Sequence, residues 1–186
     1  VSKMNTGAKI DSQAFKKSVG LNGVGLKAVN ALSSSFVVVS HREGQEKKVV
    51  YSNAKLLEEG EIVPSKEKQG TSVCFTPDER LFKQYKYRDD YVRTMLRNYC
   101  FLNAGLTILY KDEKLHSDNG LQDLLSEDLT REPLYPIIHL KGNDIEVAIT
   151  HVDQYGEEFY SFVNGQNTTQ GGTHLSAFRE AVARVI

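Results

Sequence analysis

A glycine-rich loop that runs directly into an amphipathic helix constrains the fold of this chain more than any other feature. The loop reads Gly-Leu-Asn-Gly-Val-Gly over residues 20–25, and Leu26, Val29 and Leu32 follow at helical spacing. Such a junction brings unpaired backbone N–H groups and the positive end of the helix dipole to one point, which favours phosphate binding. A glycine-rich turn that serves packing alone is the alternative interpretation.

The order of the glycines distinguishes this loop from two common nucleotide motifs. Gly-x-x-Gly-x-Gly is neither the dinucleotide-binding Gly-x-Gly-x-x-Gly nor a P-loop, because no Gly-Lys-Ser/Thr follows. The first 30 residues contain five lysines and one acid, a balance that suits an anionic ligand, although solvated surface lysines are the commoner explanation. The net charge of the whole chain is −1, which excludes a histone-like nucleic-acid binder and an acidic disordered tail.

The first half of the chain predicts a sheet beside the glycine-loop helix. Valine-rich runs at residues 35–40 and 47–52 flank a glycine turn and predict a β-hairpin. Residues 60–69 are polar and charged and predict a loop, and residues 71–75 alternate as a strand does.

The second half predicts helices and strands that do not alternate regularly, which indicates an α+β fold rather than a doubly wound parallel sheet. An acidic stretch, with seven acids against three bases over residues 111–132, suggests a domain boundary near residues 116–120. The predicted helices cover residues 89–102, 121–125 and 175–186, and the predicted strands cover residues 106–110, 135–140, 145–152 and 158–163.

Residues 17–33 closely resemble the nucleotide-binding loop and helix of the GHKL ATPases, and within them of the B subunit of bacterial type IIA DNA topoisomerases, topoisomerase IV or DNA gyrase. Three further segments resemble motifs of that family in the same order, so that the resemblance spans nearly the whole chain. They are an ATP lid (Thr6-Gly7-Ala8-Lys9 with Phe15-Lys16), a Gly-Thr strand (Gly70-Thr71-Ser72-Val73) and the start of a transducer segment (Gly171-Gly172-Thr173-His174-Leu175).

The resemblance implies a specific version of the α+β fold. Residues 1–118 would form the C-terminal part of a two-layer GHKL (Bergerat-type) ATPase sandwich, and residues 119–186 the start of a ribosomal-S5-domain-2-like transducer domain. Backbone N–H groups of the glycine loop would wrap the triphosphate, Lys9 would contact phosphate, and Thr71 would lie near the adenine. An ordinary strand threonine is the alternative for Thr71. The loop residues implied are Gly20, Leu21, Asn22, Gly23, Val24, Gly25 and Leu26.

Four positions depart from the family pattern. Phe15 stands where a tyrosine is usual, Asn22 replaces a histidine, and Ala8 and Val19 replace glycines. The phosphate cradle does not depend on these side chains, because its donors are backbone groups. The departures bear on the contacts to the nucleoside.

The resemblance also implies a function in which ATP binding and hydrolysis drive subunit clamping and DNA duplex passage, with relaxation, decatenation or supercoiling as the result. We expect a fragment whose general base and Mg²⁺ ligands lie upstream of Val1, with no catalytic or metal residue of its own and no ATP hydrolysis alone. The implied partners are ATP, Mg²⁺, a second B subunit, the A subunit carrying the cleavage tyrosine, and double-stranded DNA. Another GHKL ATPase, or a non-catalytic nucleotide-fold interaction module, remains an alternative.

The location implied is cytoplasmic and nucleoid-associated, without a membrane partner, and the apolar runs are too short to cross a bilayer. Cys74 and Cys100 match no disulfide framework or metal spacing, and we expect both thiols to be buried. Asp89 and Asp90 fit the N-terminal charge of a helix. Together with Thr173, His174 is expected to cap the last helix and to join the two domains. Surface or structural roles are predicted for all the histidines, namely His41, His116, His139, His151 and His174.

Overall fold

The chain separates between Lys86 and Tyr87 into two units, each with its own internal contacts. The computed structural model describes residues 23–185, and residues 1–22 and Ile186 lie outside the described part. We call residues 23–86 the first unit and residues 87–185 the second unit. This division differs from the domain boundary expected after residue 118, which stays a prediction.

An antiparallel sheet of five strands forms most of the first unit. The strands are β1 (Ser33–Arg42), β2 (Gln45–Ser52), β3 (Lys55–Glu59), β4 (Val63–Pro64) and β5 (Gly70–Pro77). Their order in the sheet is β3-β2-β1-β5, with β4 also paired to β2. The predicted hairpin and the strand that follows it are confirmed as β1, β2 and β5.

The loop predicted over residues 60–69 is wrong in part, because it contains β4. Val63 and Pro64 pair with Glu46 and Gln45 at the start of β2. Pro64 lacks an N–H group, and an edge strand is where a sheet tolerates that loss. The polar composition of the segment conceals this short pairing.

Two tight turns set the register of the first three strands. Glu43 and Gly44 have φ of +53° and +75°, and Asn53 and Ala54 have φ of +46° and +63°. Two central residues with positive φ define the type I′ turn, whose twist matches that of the strands it joins. Each turn therefore closes a hairpin, and the register of the second hairpin shifts by one residue between Tyr51 and Val50.

Phe36 is the centre of the first unit's core, with no exposed surface. Its ring meets the edge of Tyr51 at 6.4 Å and stacks on Phe75 at 6.5 Å, and these residues face one another across β2, β1 and β5. The predicted helix after the glycine loop is confirmed as α1 (Gly25–Ala31), which contacts β1, β2 and β5.

The second unit combines helices with three small hairpins. Its buried apolar residues are Cys100, Phe101, Leu115 and Leu124. The helix predicted over residues 89–102 is confirmed. The elements are α2 (Asp89–Leu102), β6 (Thr107–Tyr110), β7 (Glu113–His116), α3 (Leu121–Asp128), β8 (Ile138–Lys141), β9 (Glu146–Ile149), β10 (Phe162–Val163), β11 (Gln166–Asn167) and α4 (Thr173–Val185).

Several strands of the second unit differ from those predicted. β7 is absent from the predicted strands, because its charged residues are typical of an inter-domain stretch. β8 begins only at Ile138, since Pro136 just before it has no N–H group for a ladder. The strand predicted over residues 158–163 shrinks to β10, because within the described chain only Phe162 and Val163 of that segment pair with a neighbouring strand, β11.

The two thiols differ in environment. Cys100 is buried as expected, but the expectation for Cys74 is wrong, because its side chain on β5 is exposed. Within residues 23–185, no helix is both long and apolar enough to cross a membrane.

Candidate functional site

The end of the glycine loop lies at the start of α1. Gly23 has a φ of +57°, a conformation that favours glycine, and Val24 occupies the helix N-cap without a side-chain hydrogen bond to the helix. Gly25 is the first residue of α1. The remaining predicted phosphate-binding residues, Lys9, Gly20, Leu21 and Asn22, lie outside the described residues.

Gly25 needs neither unusual backbone conformation nor extra space within the described chain. It is absent from the glycines with positive φ, and an added Cβ meets no atom within 4 Å. The space around Gly25 is more open than that around Gly172, where an added Cβ would lie 3.0 Å from the ring of His174. Packing against the described residues therefore does not explain a glycine at position 25.

Thr71 lies near the start of β5, directly opposite Ser40 on β1. Its side chain is exposed and shares a face of the strand with Val73 and Phe75. Within residues 23–185, no hydrogen bond joins Thr71 to residues 23–26. The hydroxyl is therefore accessible on the face that carries Phe75, which stacks on the core residue Phe36.

A charged cluster that the sequence did not predict lies at the end of β5. Asp78 Oδ2 accepts a hydrogen bond of 2.7 Å from Asn53 Nδ2, and Asp78 Oδ1 accepts one of 2.9 Å from Arg80 Nε. Arg80 Nη2 also donates to Asp78 Oδ2 at 2.5 Å and to Asn53 Oδ1 at 3.0 Å. These three side chains form a closed arrangement that we call the Asp-Arg-Asn triangle.

The triangle has a buried anion and an exposed cation. Only 4% of the Asp78 side chain is exposed, against 77% for Arg80. The side chain and backbone N–H of Arg80, with Asn53, hold the pKa of Asp78 well below its usual range, although desolvation opposes them. In the sequence, the spacing of Asp78 and Arg80 was the one local indication of this cluster. The contact with Asn53 depends on a fold that brings β2 and β5 to the same end of the sheet.

The Gly-Gly-Thr-His segment of the second unit has a steric explanation. Gly171 and Gly172 have φ of +75° and +143°, and an added Cβ would lie 2.9 Å from Leu175 Cδ2 at the first position and 3.0 Å from the His174 ring at the second. His174 Nε2 in turn lies 2.6 Å from Ser161 Oγ. The positive φ and the close approach of that ring both disfavour a side chain at position 172.

Ser161 connects His174 to the hairpin of β10 and β11. Thr168 donates from its backbone N–H to Ser161 O at 2.7 Å, and its hydroxyl lies 2.7 Å from Ser161 Oγ. Ser161 is only 6% exposed. We call His174, Ser161 and Thr168 the α4 clamp, because they attach the first turn of α4 to that hairpin.

The other histidines and the acidic pair contact protein groups. His116 Nε2 lies 3.0 Å from Asp118 and His139 Nε2 lies 2.9 Å from Glu146, whereas His41 Nδ1 is buried without a hydrogen bond within the described chain. Asp89 and Asp90 occupy the first turn of α2, as predicted. A hydrogen bond from Lys111 lowers the pKa of Asp89, with a second from Tyr110.

A polar cavity of the second unit has ion pairs in its lining. It has a volume of about 310 Å³ and lies between α2, β7 and α3, where Arg93 donates two hydrogen bonds of 2.7 and 2.8 Å to Glu113. Arg97 pairs with Glu127 on its rim. Residues 23–185 contain no group of three or more His, Cys, Asp or Glu side chains suited to a metal ion.

The sequence comparisons agree on one family. Residues 106–186 match the family described as DNA gyrase B. The chain is 46% identical to the B subunit of DNA topoisomerase 4 from Borreliella burgdorferi over 100% of its own length and 31% of the relative. It is 36% identical to the B subunit of DNA gyrase from Eisenibacter elegans over 95% of its own length and 41% of the relative. The chain thus spans less than half the length of these relatives.

Solved structures agree with the sequence relatives. The 43K ATPase domain of Thermus thermophilus gyrase B, in complex with an aminocoumarin, superposes with a TM-score of 0.75 at 30% identity, over 87% of this chain and 48% of that one. The topoisomerase IV ATP-binding domain of Francisella tularensis has a TM-score of 0.68 at 28% identity, over 87% and 47%. The expected α+β GHKL-type fold, present in part, is confirmed. The chain belongs to the family of bacterial type IIA topoisomerase B subunits that includes DNA gyrase B and topoisomerase IV B.

Proposed function

We propose that this chain is part of the B subunit of an ATP-dependent type II DNA topoisomerase, and that its glycine loop binds the phosphates of ATP. The proposal is supported most directly by the surroundings of Gly25. Its backbone is ordinary and the space around its Cα is open, so that the described protein atoms do not require a glycine there. Backbone N–H groups at a helix start can approach phosphate oxygens most closely when no Cβ intervenes.

The nucleoside would lie on the face of β5 that carries the Thr71 hydroxyl. An exposed hydroxyl can donate or accept a hydrogen bond, directly or through water, to the edge of a purine ring. Val73 lies two residues further on the same face and is 40% exposed, which offers apolar surface beside that hydroxyl. Lys9 and residues 20–22 would complete the contacts to the phosphates.

Mg²⁺ and the general base would come from outside the described residues. In this division, the chain would supply the anion cradle and another segment would supply the metal ligands. Mg²⁺, when bound, neutralises charge on the phosphate oxygens. The cradle would stabilise the charge that develops on the transferred phosphoryl group.

The full-length protein would act on double-stranded DNA together with a second B subunit and an A subunit. ATP binding would clamp the two B subunits, and hydrolysis would reset them as one duplex passes through another. The proposal for these partners rests on relatives that are named as subunits of gyrase and topoisomerase 4. The choice between gyrase and topoisomerase IV would be made by the reaction, supercoiling or decatenation, that the assembled protein performs.

A binding experiment tests the nucleoside part of this proposal. In the full-length protein, Thr71→Val keeps the side-chain shape and removes the hydroxyl, and we expect the affinity for a non-hydrolysable ATP analogue with Mg²⁺ to fall about fivefold, the loss expected for one hydrogen bond. Thr76→Val on the opposite face of β5 is the matched control and should bind as the parent does. Equal affinity of both variants would remove Thr71 from the site.

The same preparation distinguishes the function classes. A parent protein that binds the analogue and relaxes or decatenates DNA only with ATP and an A subunit supports the topoisomerase. Failure of the parent protein to bind any adenine nucleotide would instead favour a non-catalytic interaction module.

A further inference from the structure

The C-terminal end of α1 is the meeting point of three segments of the first unit. Asn53 N donates to Ser33 O at 2.8 Å, Asp78 N donates to Leu32 O at 2.9 Å, and Ala54 N donates to Asn30 O at 3.3 Å. The turn after β2 and the end of β5 are thereby both attached to the residues where α1 passes into β1.

Apolar burial contributes little to the position of α1. Asn30 is its one fully buried residue and Val29 is half-buried, while Leu26 remains 45% exposed and Leu32, just after the helix, 42%. A helix of this length has little stability of its own in water. Its orientation therefore depends on the hydrogen bonds at its C-terminal end.

The Asp-Arg-Asn triangle fixes the two segments that make those bonds. Asp78 and Asn53 each use the backbone N–H to hold the end of α1 and the side chain to hold each other. Arg80 closes the triangle by bonding both partners. Hydrogen bonds to an ionised carboxylate are roughly twice as strong as neutral ones, so that loss of the charge on Asp78 loosens the whole junction.

We propose that Asn53, Asp78 and Arg80 are positioning residues for nucleotide binding. None of them belongs to the glycine loop, but together they hold the end of the short helix whose opposite end carries Gly25. A shift of α1 by a fraction of an ångström misaligns the N–H groups of the loop with the phosphate oxygens. The inference rests on the proposed function of that loop. It assigns to the Asp-Arg-Asn triangle a role in nucleotide affinity, although its residues lie far from the loop in sequence.

A charge-exchange experiment in the full-length protein tests this role. Asp78→Asn removes the carboxylate while keeping its shape, and we expect the affinity for a non-hydrolysable ATP analogue to fall about tenfold, a typical coupling between distant sites. ATP hydrolysis should show a raised KM and an unchanged kcat. The double variant Asn53→Asp with Asp78→Asn returns one carboxylate to the triangle and should restore the affinity to within about twofold.

Two further variants keep the result interpretable. Glu79→Gln, at the exposed neighbouring residue, is the control for a lost surface charge and should bind normally. Arg80→Lys changes an exposed side chain, keeps its charge and loses the planar fork, so that it should fold and still weaken the affinity.

The outcomes separate the two claims. A parent protein that binds no nucleotide overturns the function of the loop and this inference with it. A parent that binds, with Asp78→Asn and Arg80→Lys binding equally well, overturns the positioning role alone. Failure of the double variant to restore affinity also contradicts it, as does a fall in kcat with KM unchanged.

Discussion

At the scale of single residues, the ionised carboxylate of Asp78 helps to hold the first unit together. Its pKa is lowered chiefly by hydrogen bonds from Arg80, and it is almost fully buried. A group whose pKa is lowered by folding stabilises the fold at every pH above its unfolded value. That contribution is lost as the pH falls through the folded value.

The first residue-scale prediction concerns acid stability. The unfolded pKa of an aspartate is about 4, so that the contribution of Asp78 should be complete at neutral pH and should decline below about pH 4. Asp78→Asn should therefore lower Tm near pH 7, and the difference from the parent protein should narrow as the pH falls below about 4. Thermal unfolding across this range measures it.

Glu79→Gln serves as the control for the acid series, because Glu79 is the exposed neighbour of Asp78. Its Tm profile should follow that of the parent protein. A gap between Asp78→Asn and the parent that stays constant down to about pH 3 would contradict the assignment of the lowered pKa to Asp78.

At the scale of elements, the α4 clamp attaches the start of a helix whose apolar side chains Leu175, Phe178 and Val182 are only half-buried. None of the side chains of α4 described by the structure is buried. Its first turn is attached through His174 to Ser161, and further along Arg179 pairs with Glu157 and lies 4.6 Å from the centre of the Phe159 ring. Polar contacts therefore contribute to holding the start of α4.

Removal of the Ser161 hydroxyl should loosen that start. Ser161→Ala removes the part-buried hydrogen bonds of Ser161 Oγ with His174 and Thr168. The bond to His174 is worth about 1 kcal/mol, which corresponds to about fivefold faster hydrogen exchange if the first turn opens locally. The amide of Ser176, which donates to Gly172 O at 3.0 Å, reports on that turn. Ser126→Ala, at an exposed serine on α3, is the matched control. Unchanged exchange at Ser176 in Ser161→Ala would show that the clamp does not hold the helix.

Periodicity predicts those elements whose residues carry the pattern themselves. The valines are sufficient to predict β1 and β2 as strands. The N-terminal acids and the apolar stripe are sufficient to predict α2 as a helix. β4 and β7 escape prediction because pairing with a neighbouring strand, rather than their own sequence, makes them strands. The expected burial of Cys74 failed for a different reason, because residues on both faces of β5 are exposed, including Val73 and Phe75.

The candidate site likewise contains residues that the sequence could predict and residues that it could not. The glycine loop and Thr71 could be singled out from local motifs, and both remain proposals for ATP binding. The Asp-Arg-Asn triangle could not, because Asn53 and Asp78 come together only when β2 and β5 lie in one sheet. Contacts between residues far apart in sequence leave no periodic signal.

At the scale of the whole molecule, each of the two units has its own buried residues, around Phe36 in the first and around Phe101 and Leu124 in the second. The chain matches 31% of the length of the Borreliella burgdorferi relative, and under the proposed function the complete reaction would belong to a longer protein. What the described part contributes to that reaction, on this account, is the phosphate cradle at the start of α1 and the junction that positions it.

Gly25 tests that central claim most directly. In the full-length protein, Gly25→Ala adds one methyl group where the described chain leaves open space, and alanine also favours the helix. We expect the affinity for a non-hydrolysable ATP analogue with Mg²⁺ to fall by at least about tenfold while Tm is unchanged or slightly raised. Ala31→Ser, a change of similar size at the opposite end of α1, should bind as the parent does. Equal affinity of Gly25→Ala and the parent protein would contradict the account.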